Sequence, residues 1–396
     1  MKFDEVKTPC FVLETEKLVS NIRSFKKALN KRFKQNVLGY SVKTNSTPVL
    51  LDILRNEGCF AEVVSYDEYK LARCKQFKPN RIVYNGPLKD KATFIDAIVN
   101  GSYVNIDTKR ELDWLEDLPK DHSYEVGLRL NLNLMDISPE DCKDGEEFSR
   151  FGFSDENGEF EEALSCIYGL ENISIAGLHL HRTSKTRSLS VYKKICNYAV
   201  EVVRKYDLNL KYLDLGGGFY GDMPGKPTYD DYVEAIAENL STFMDISQLT
   251  VIVEPGNAII ASPFSFYSSV IDTKYIGDKR IVVIDGSRND IDPFFHKKDY
   301  FNTIINDITN RETEQLQVVV GCTCLENDRL FSESDLPMLK VGDIIKFSFV
   351  GAYTSCLSPL FIRYFPNIYL QEGDNFTLVR PSWTEREYLQ LDNSNK

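Results

Sequence analysis

The chain has 396 residues, with 47 basic and 59 acidic side chains and a formal net charge of -12. This acidic balance argues against nucleic acid or an anionic membrane surface as the main partner. A hydrophobic fraction of 42% and a charged fraction of 27% are typical of soluble globular proteins, and the length predicts two domains. The first residues do not resemble a secretory signal, and no apolar run is long enough to span a bilayer.

The nine cysteines are scattered without the spacing of a disulfide framework, which is typical of a reducing compartment. Cys322 and Cys324 form the only close pair, and two cysteines make a poor structural zinc site. With only four histidines to complete such a site, we expect no metal. The sequence therefore predicts a cytoplasmic protein without bound metal.

Residues 15 to 262 alternate between strand-like and helix-like patterns, after a short predicted strand at Cys10–Leu13 and a helix from Thr15 to about Leu29. The further predicted strands are Val37–Val42, Phe60–Val64, Ile82–Tyr84, Tyr103–Ile106, Tyr124–Leu130, Ile173–Leu180, Leu210–Leu215 and Leu249–Val253. The predicted helices between them are Thr47–Asn56, Tyr66–Cys74, Lys91–Val99, Lys109–Leu115, Glu161–Ile167, Ser188–Tyr206 and Tyr229–Phe243. Eight repeats predict an α/β fold with a (β/α)8 barrel, because the alternative, a doubly wound open sheet, would not require eight.

After Pro263 the helical patterns become sparse, and β-branched and aromatic runs replace them. These runs are Phe264–Ile276, Arg280–Ile284, Leu316–Val320, Ile344–Phe349 and Asn367–Leu370. They predict a second, mostly β domain. Because Cys10–Leu13 precedes the barrel pattern, we expect it to join that domain. The predicted division is a barrel over 15–262 and a β domain formed by 1–14 and 263–396.

Polar residues and glycines occur where the predicted barrel strands end, which is where catalytic groups of such barrels collect. They are Lys43, Glu62, Arg129, His181, Ser184, Gly216, Gly217, Gly218 and Glu254. Three consecutive glycines allow close approach to a ligand and present N–H groups to an anion, although a glycine triplet is also a common tight turn. The strand ends therefore predict a site for a small, partly anionic ligand.

Two charged residues among these have two interpretations each. Lys43, in Tyr40-Ser41-Val42-Lys43-Thr44-Asn45, either lies exposed just past a strand or forms a Schiff base with an aldehyde cofactor. Glu254, beyond an apolar strand, needs a cationic partner, either a protonated pyridine nitrogen or Arg129. His181 similarly fits a buried strand-end histidine or a ring stacked on a flat cofactor.

The same residues carry a resemblance to the fold-type III pyridoxal-phosphate decarboxylases, the family of diaminopimelate and ornithine decarboxylases. Tyr40–Asn45 approximates the family's lysine motif. Further matches occur in family order at Ala61–Ser65, Asn105–Thr108, Arg150–Gly152, Gly216–Gly218, Glu254–Gly256 and Gly351–Thr354. The resemblance covers nearly the whole chain and implies an alanine-racemase-like barrel with a C-terminal β domain.

This resemblance implies pyridoxal 5'-phosphate as the cofactor and the decarboxylation of a small amino-acid substrate. It assigns Lys43 to the Schiff base, Glu254 to the pyridine nitrogen and His181 to the face of the ring. The other implied cofactor-binding positions are Glu62, Arg129, Ser184, Gly217, Gly218, Gly256 and Tyr353. Cys324 matches a cysteine that donates a proton from the partner subunit, which implies a homodimer with shared active sites. Without the resemblance, Cys324 would be interpreted as an inert buried thiol.

The chain departs from this family at the substrate positions. Diaminopimelate decarboxylases usually have one arginine where this chain has Asn257 and another in the stretch that here contains Asp292. Without that pair to hold a distal carboxylate, we expect meso-diaminopimelate to be a poor substrate. Asp292 favours a distal amine instead, unless it is only a solvated loop acid. The implied substrate positions are Asn257, Asp292, His296, Leu325, Glu326 and Asp328.

The sequence leaves three other functions open. The Cys324-Leu325 pair and the missing arginine resemble carboxynorspermidine decarboxylases, which makes a carboxylated polyamine a second substrate class. An amino-acid racemase would use the same cofactor and barrel, but it needs a second acid/base on the opposite face, usually a tyrosine. A non-catalytic homologue would bind the cofactor and keep only the fold.

Overall fold

The computed structural model describes residues 1–142, 148–182 and 184–391. The chain forms two compact units: Ser20–Ile259, and Met1–Val19 together with the chain from Ile260 onward. These boundaries lie a few residues from the expected ones, and the first of them falls inside a helix. None of the described helices is long and apolar enough to cross a membrane.

The elements have the following bounds in chain order. The strands are β1 (Cys10–Glu14), β2 (Gln35–Ser41), β3 (Phe60–Ser65), β4 (Ile82–Leu88), β5 (Tyr103–Ile106), β6 (Tyr124–Arg129), β7 (Ile173–His179), β8 (Tyr212–Asp214), β9 (Thr250–Val253), β10 (Phe264–Ile276), β11 (Lys279–Ile284), β12 (Asn302–Ile304), β13 (Thr313–Glu314), β14 (Gln317–Val320), β15 (Arg329–Glu333), β16 (Leu336–Pro337), β17 (Ile344–Phe347), β18 (Asn367–Glu372) and β19 (Asn375–Arg380). The α-helices are α1 (Thr15–Arg32), α2 (Pro48–Asn56), α3 (Tyr66–Cys74), α4 (Lys91–Val99), α5 (Lys109–Trp114), α6 (Leu134–Ile137), α7 (Glu159–Tyr168), α8 (Leu189–Lys205), α9 (Tyr229–Phe243), α10 (Asn257–Ile260), α11 (Arg288–Ile291) and α12 (Glu385–Tyr388).

Strands β2 to β9 form a closed parallel barrel in sequence order. The closure is made by β2 and β9, which pair over Gln35–Leu38 and Thr250–Val253. The predicted (β/α)8 barrel is confirmed, and its closure excludes the open doubly wound sheet. Each predicted barrel strand is present, with ends that differ by a few residues.

Short polar caps start several of the helices that follow the barrel strands. Ser65, Ser188 and Thr228 each accept a hydrogen bond from the backbone N–H three residues further on, at the starts of α3, α8 and α9. Such caps satisfy N–H groups that have no partner within the helix. The chain can therefore turn quickly from strand to helix, which leaves the strand ends accessible to a ligand.

The barrel interior is crowded around the buried side chain of Tyr212 on β8. A methyl group on Gly177 would lie 2.0 Å from the Tyr212 ring, and one on Gly127 would lie 2.0 Å from Asn105 Oδ1. The Tyr212 hydroxyl donates to Asn105 Oδ1 at 3.0 Å. The two glycines thus make room for a tyrosine that orients a polar side chain inside the barrel.

The second unit is a mostly β sheet, as predicted. Its main path runs β15-β14-β11-β10-β1-β18-β19, with β17 pairing with β10 and β12. The N-terminal strand β1 lies between β10, to which it is antiparallel, and β18, to which it is parallel. The sequence did not predict β12, β13, β15, β16 and β19, because they are short or carry little apolar alternation.

Candidate active site

A cavity of about 650 Å³ lies at the C-terminal ends of the barrel strands. Five of the residues predicted from the strand ends line it, namely Lys43, Glu62, Arg129, His181 and Glu254. They come from segments that are far apart in the chain and meet only because the parallel strands end on one side of the barrel. The barrel therefore places the predicted charged groups around one cavity.

Lys43 is held by a buried carboxylate. It lies in a 3-10 helix, Val42–Thr44, that follows β2 directly. Its Nζ donates to Glu62 Oε2 at 2.9 Å and to Ser41 Oγ at 2.7 Å, and Ser41 Oγ donates to the same Glu62 oxygen at 2.6 Å. The Lys43 side chain is 35% exposed, whereas that of Glu62 is 1% exposed. The amine is thus fixed in the cavity wall, with its charge balanced and one side accessible.

Glu254 shares a proton site with a second buried carboxyl, Asp214. Both side chains are buried, and a hydrogen bond joins them. Burial raises the pKa of Asp214 to about 7. Burial and the charge of Asp214 raise the pKa of Glu254 well above its usual range. At neutral pH this pair therefore retains a proton, because two adjacent buried carboxylates cannot both ionise cheaply.

Arg129 has a different acidic partner from the one that the sequence left open. Its Nη1 donates to Asp107 Oδ2 at 2.5 Å, and its guanidinium lies 4.6 Å from the centre of the Phe151 ring. Asp107 Oδ1 also accepts from the backbone N–H of Gly152 at 2.9 Å. The Glu254 carboxyl is therefore paired with Asp214, and the guanidinium with Asp107.

His181 presents a neutral, oriented ring. Its Nδ1 accepts a hydrogen bond from the Gly217 N–H at 3.2 Å, and burial lowers the pKa of its imidazole to about 3. A Cβ on Gly216, where φ is +65°, would lie 2.4 Å from the same Nδ1. Only glycine permits that close approach. Gly216, the first glycine of the triplet, therefore makes room for the His181 ring.

Of the residues that the sequence did not single out, Asn85 and Asp214 stand out. Asn85, on β4, lines the cavity, and Asp214 is the last residue of β8. Asn85 directly follows the predicted strand Ile82–Tyr84, and Asp214 lies near the end of the predicted strand Leu210–Leu215, so their positions were the available signal. Asp214 also belongs, with His179 and Glu254, to a buried group whose ligand-type atoms lie within 4.8 Å of one another.

The remaining predicted residues lie away from the charged cluster or in the second unit. Ser184 is buried and its Oγ accepts from the Arg187 N–H at 3.0 Å. Cys324 is exposed, so the buried-thiol interpretation is wrong. Leu325, Glu326 and His296 are exposed as well.

Two predicted substrate acids are engaged within the second unit. Asp292 accepts from Arg288 Nη2 at 2.9 Å and from the Tyr300 hydroxyl at 2.8 Å. Burial raises the pKa of Asp292, but these hydrogen bonds outweigh it and the net shift is downward. Asp328 is buried and accepts from Ser287 Oγ at 3.0 Å and from the Thr323 N–H at 3.1 Å. The charge of Asp292 is thus balanced by neighbouring groups of its own unit, and its role toward a substrate stays a prediction.

The chain thus combines a closed barrel and a β-sheet unit, and the barrel cavity contains an accessible lysine and a buried carboxyl group. Residues 16–261 match the family model "Pyridoxal-dependent decarboxylase, pyridoxal binding domain". Residues 189–351 match the model "Pyridoxal-dependent decarboxylase, C-terminal sheet domain". The chain belongs to the pyridoxal-dependent decarboxylases.

Several relatives cover almost the whole chain. The diaminopimelate decarboxylases of Methanocaldococcus jannaschii and Bacillus subtilis are 25% and 27% identical, over 97% of this chain and 91% of theirs. The crystal structure of the M. jannaschii enzyme has a TM-score of 0.86 at 23% identity and covers 98% of this chain and 93% of that one. The arginine decarboxylase of Paramecium bursaria Chlorella virus has a TM-score of 0.77 at 20% identity, over 93% and 97%. These structures share the fold.

The protein is therefore a carboxy-lyase that uses pyridoxal 5'-phosphate, and the cavity fits that group. Both ring nitrogens of buried His179 lack a hydrogen-bond partner among the described residues, and buried Glu254 has a carboxyl for its neighbour instead of a cation. A ligand with a cationic ring nitrogen would give buried Glu254 the cationic partner that it lacks. When bound, the cofactor supplies a conjugated, protonated ring that takes up the electron pair left when carbon dioxide departs.

The raised pKa of Asp214 predicts a pH-dependent stability in the cofactor-free protein. A carboxyl whose pKa rises on folding, here from 3.8 to about 7, contributes stability below pH 3.8 that is lost as the pH rises toward 7. Asp214→Asn has no carboxyl to ionise at this position. Its free energy of unfolding should therefore increase relative to that of wild type as the pH rises from about 4 to about 7. Urea denaturation at several pH values measures the difference.

Asp231→Asn is the matched control, because hydrogen bonds from Thr228 lower the pKa of exposed Asp231. Its difference from wild type should stay constant between about pH 4 and pH 7, because the stability from a lowered pKa is fully present above the unfolded pKa of 3.8 and is lost only below it. A pH-independent difference for Asp214→Asn would show that this carboxyl does not bind a proton on folding.

Proposed function

We propose that this enzyme decarboxylates a small amino acid in the barrel cavity and that Lys43 bonds the aldehyde of the cofactor. The observation that carries the proposal is the contact of Lys43 Nζ with buried Glu62 at 2.9 Å, inside a cavity that also contains Glu254. A buried carboxylate that fixes an amine leaves it in one place and orientation. That is what covalent capture of a small aldehyde requires.

The other side chains divide the binding of the cofactor among them. We assign Glu254 to the pyridine nitrogen, His181 to the ring face, and Glu62 and Arg129 to the polar edge of the ring. Ser184 and Gly218 are the proposed phosphate ligands, and the role of Tyr353 stays a prediction from the resemblance. Gly217 supports them indirectly, because its N–H already donates to His181.

Gly256 has a packing role in this proposal. A Cβ at Gly256 would lie 1.9 Å from Thr44 Oγ1, next to Lys43 in the chain. The absence of a side chain therefore lets the loop after β9 pack against the 3-10 helix that carries the lysine. We infer that Gly256 keeps the lysine segment in place.

The substrate is proposed to differ from that of the relatives named diaminopimelate decarboxylases. Asn257 cannot supply a guanidinium, and Asp292 is an acid already paired with Arg288 at 2.9 Å. Neither position can therefore hold a distal carboxylate, while the pairing of Asp292 also weakens the case for a distal amine. Diamino acids and carboxylated polyamines are the classes to compare. A racemase is disfavoured, because the chain belongs to a decarboxylase family.

We further propose that the enzyme is a homodimer in which Cys324 donates a proton in the partner's active site. Exposed Cys324 follows Thr323, whose N–H and hydroxyl both donate to buried Asp328. A thiol at the surface, on a loop held by a buried carboxylate, is suited to act across an interface. Asp328 is then a support for that loop and has no contact with substrate. Location in the cytoplasm stays a prediction from the sequence.

Lys43→Ala tests the site of covalent attachment. The variant should lose the absorbance of lysine-bonded cofactor and should no longer be labelled by borohydride reduction, because Lys43 is the only lysine among the described residues that line the cavity. Exposed Lys91, which pairs with Asp117 on the surface, provides the control variant Lys91→Ala. Retained labelling in Lys43→Ala would refute the assignment.

A substrate panel tests the proposed specificity. Carbon dioxide release should be at least about 100-fold slower, as kcat/KM, with meso-diaminopimelate than with the best diamino acid or carboxylated polyamine, because each lost charged contact costs a few kcal/mol. Turnover of meso-diaminopimelate at the rate of the best substrate would exclude the proposal. Loss of optical rotation without gas release would instead indicate a racemase.

Mixing two inactive variants tests the shared active site. Lys43→Ala and Cys324→Ala homodimers should each be weakly active, and subunit exchange should restore about a quarter of wild-type activity, since half of the dimers carry one intact site. Mixtures of Lys43→Ala with Lys91→Ala should keep about half of wild-type activity whether or not subunits exchange, so exchange itself is measured by native mass spectrometry of subunits that carry different tags. No recovery after demonstrated exchange would place Cys324 in its own subunit's site or outside any site.

A further inference from the structure

One buried amide links the two ends of the candidate active site. Asn85, 2% exposed, lies in the middle of β4 and lines the cavity. Its Nδ2 donates to Glu62 Oε1 at 3.2 Å and to Glu254 Oε1 at 2.5 Å. Glu62 contacts Lys43, and Glu254 is the proposed partner of the pyridine nitrogen. The NH2 group of Asn85 therefore bridges two carboxyl groups. One holds the lysine proposed to bond the cofactor, and the other is proposed to contact the pyridine nitrogen.

The orientation of this amide is determined by the barrel interior. Asn85 Oδ1 accepts from Asn105 Nδ2 at 2.8 Å, and Asn105 Nδ2 also donates to Asp214 Oδ2 at 3.2 Å. The Tyr212 hydroxyl donates to Asn105 Oδ1, which fixes the Asn105 amide in turn. A flipped Asn85 would face two carboxylates with its own oxygen and Asn105 Nδ2 with its own nitrogen, so only one orientation satisfies the network.

We propose that Asn85 is a positioning residue that holds the carboxylate facing Lys43 and the carboxylate beyond β9 in one fixed arrangement. The proposal rests on the proposed roles of Lys43 and Glu254. Donation from a neutral amide favours the anionic form of each acceptor without adding a charge. Asn85 thereby keeps Glu62 available to pair with the lysine and allows Glu254 to ionise when a cationic nitrogen is present.

The competing explanation is that Asn85 only fills space at the top of the barrel. A filler would contribute a fixed amount to stability, whereas a donor to two carboxylates contributes an amount that depends on their ionisation. The pH dependence therefore distinguishes the two explanations. Asn21, a buried asparagine of the same unit whose Nδ2 donates to the Ile259 carbonyl at 3.1 Å, offers a matched control with no carboxylate acceptor at that bond.

The first experiment uses the cofactor-free protein and compares Asn85→Leu with Asn21→Leu by urea denaturation from about pH 5 to pH 8. Loss of the donor raises the proton affinity of Glu254, so Asn85→Leu should lose progressively more stability as the pH rises. Asn21→Leu should lose a constant amount. A constant loss in both variants overturns the proposal. This arm needs no cofactor and therefore stands even if the assigned function fails.

The second experiment follows the absorbance of bound pyridoxal phosphate in the holoenzyme as a function of pH. The midpoint should move down by about one pH unit in Asn85→Leu, because protonated carboxyls stabilise the cations at Lys43 and at the ring nitrogen less well. An unmoved or raised midpoint overturns the proposal. If Asn85→Leu fails to fold, Asn105→Ala, which frees the Asn85 amide, should give a smaller shift in the same direction, and its absence counts equally against the proposal.

Discussion

Three carboxyl groups, those of Glu62, Asp214 and Glu254, are buried together at the end of the barrel, and much of the site compensates for that burial. Isolated buried carboxylates are strongly unfavourable, so each must gain a cation, a donor or a proton. Glu62 gains the Lys43 ammonium, while Asp214 and Glu254 share a proton. The position of the lysine amine thus follows from the need to balance Glu62, which joins the electrostatics of the fold to its chemistry.

A second buried network supports Arg129 in the same way. Lys89 and Glu111 form an ion pair with both side chains fully buried, and Nζ to Oε2 is 3.0 Å. Glu111 also accepts from the backbone N–H of Asp107, the residue that pairs with Arg129. The guanidinium at the cavity wall is therefore held through a chain of charged contacts that begins in the loop after β4. Charge is balanced locally around the cavity, so few groups there can change partner freely.

The second unit uses buried acids for a different purpose. Asp328 gathers donors from Ser287, Thr323 and the Arg288 backbone, and Asp292 gathers Arg288 and Tyr300. These carboxylates stabilise the loops around them, because the neighbouring loop residues already donate most of the hydrogen bonds that the carboxylates can accept. Exposed Cys324 belongs to one such loop. Asp292 and Asp328, two acids that the sequence predicted as substrate ligands, thus hold loops of the second unit in place through these hydrogen bonds, and their role toward a substrate stays a prediction.

The sequence by itself determined the barrel, because eight repeats of strand and helix patterns depend on local periodicity that any segment carries within itself. It also singled out Lys43, Glu62 and Glu254, since a charged residue beyond an apolar strand is conspicuous in isolation. Only the tertiary structure decided which side chains pair with each other: Arg129 with Asp107, Asp292 with Arg288, and Asn85 with two carboxylates. The short strands β13 and β16 likewise exist only through each other. Which side chains pair depends on which segments of the chain lie close together in the folded protein. Local sequence patterns do not contain that information.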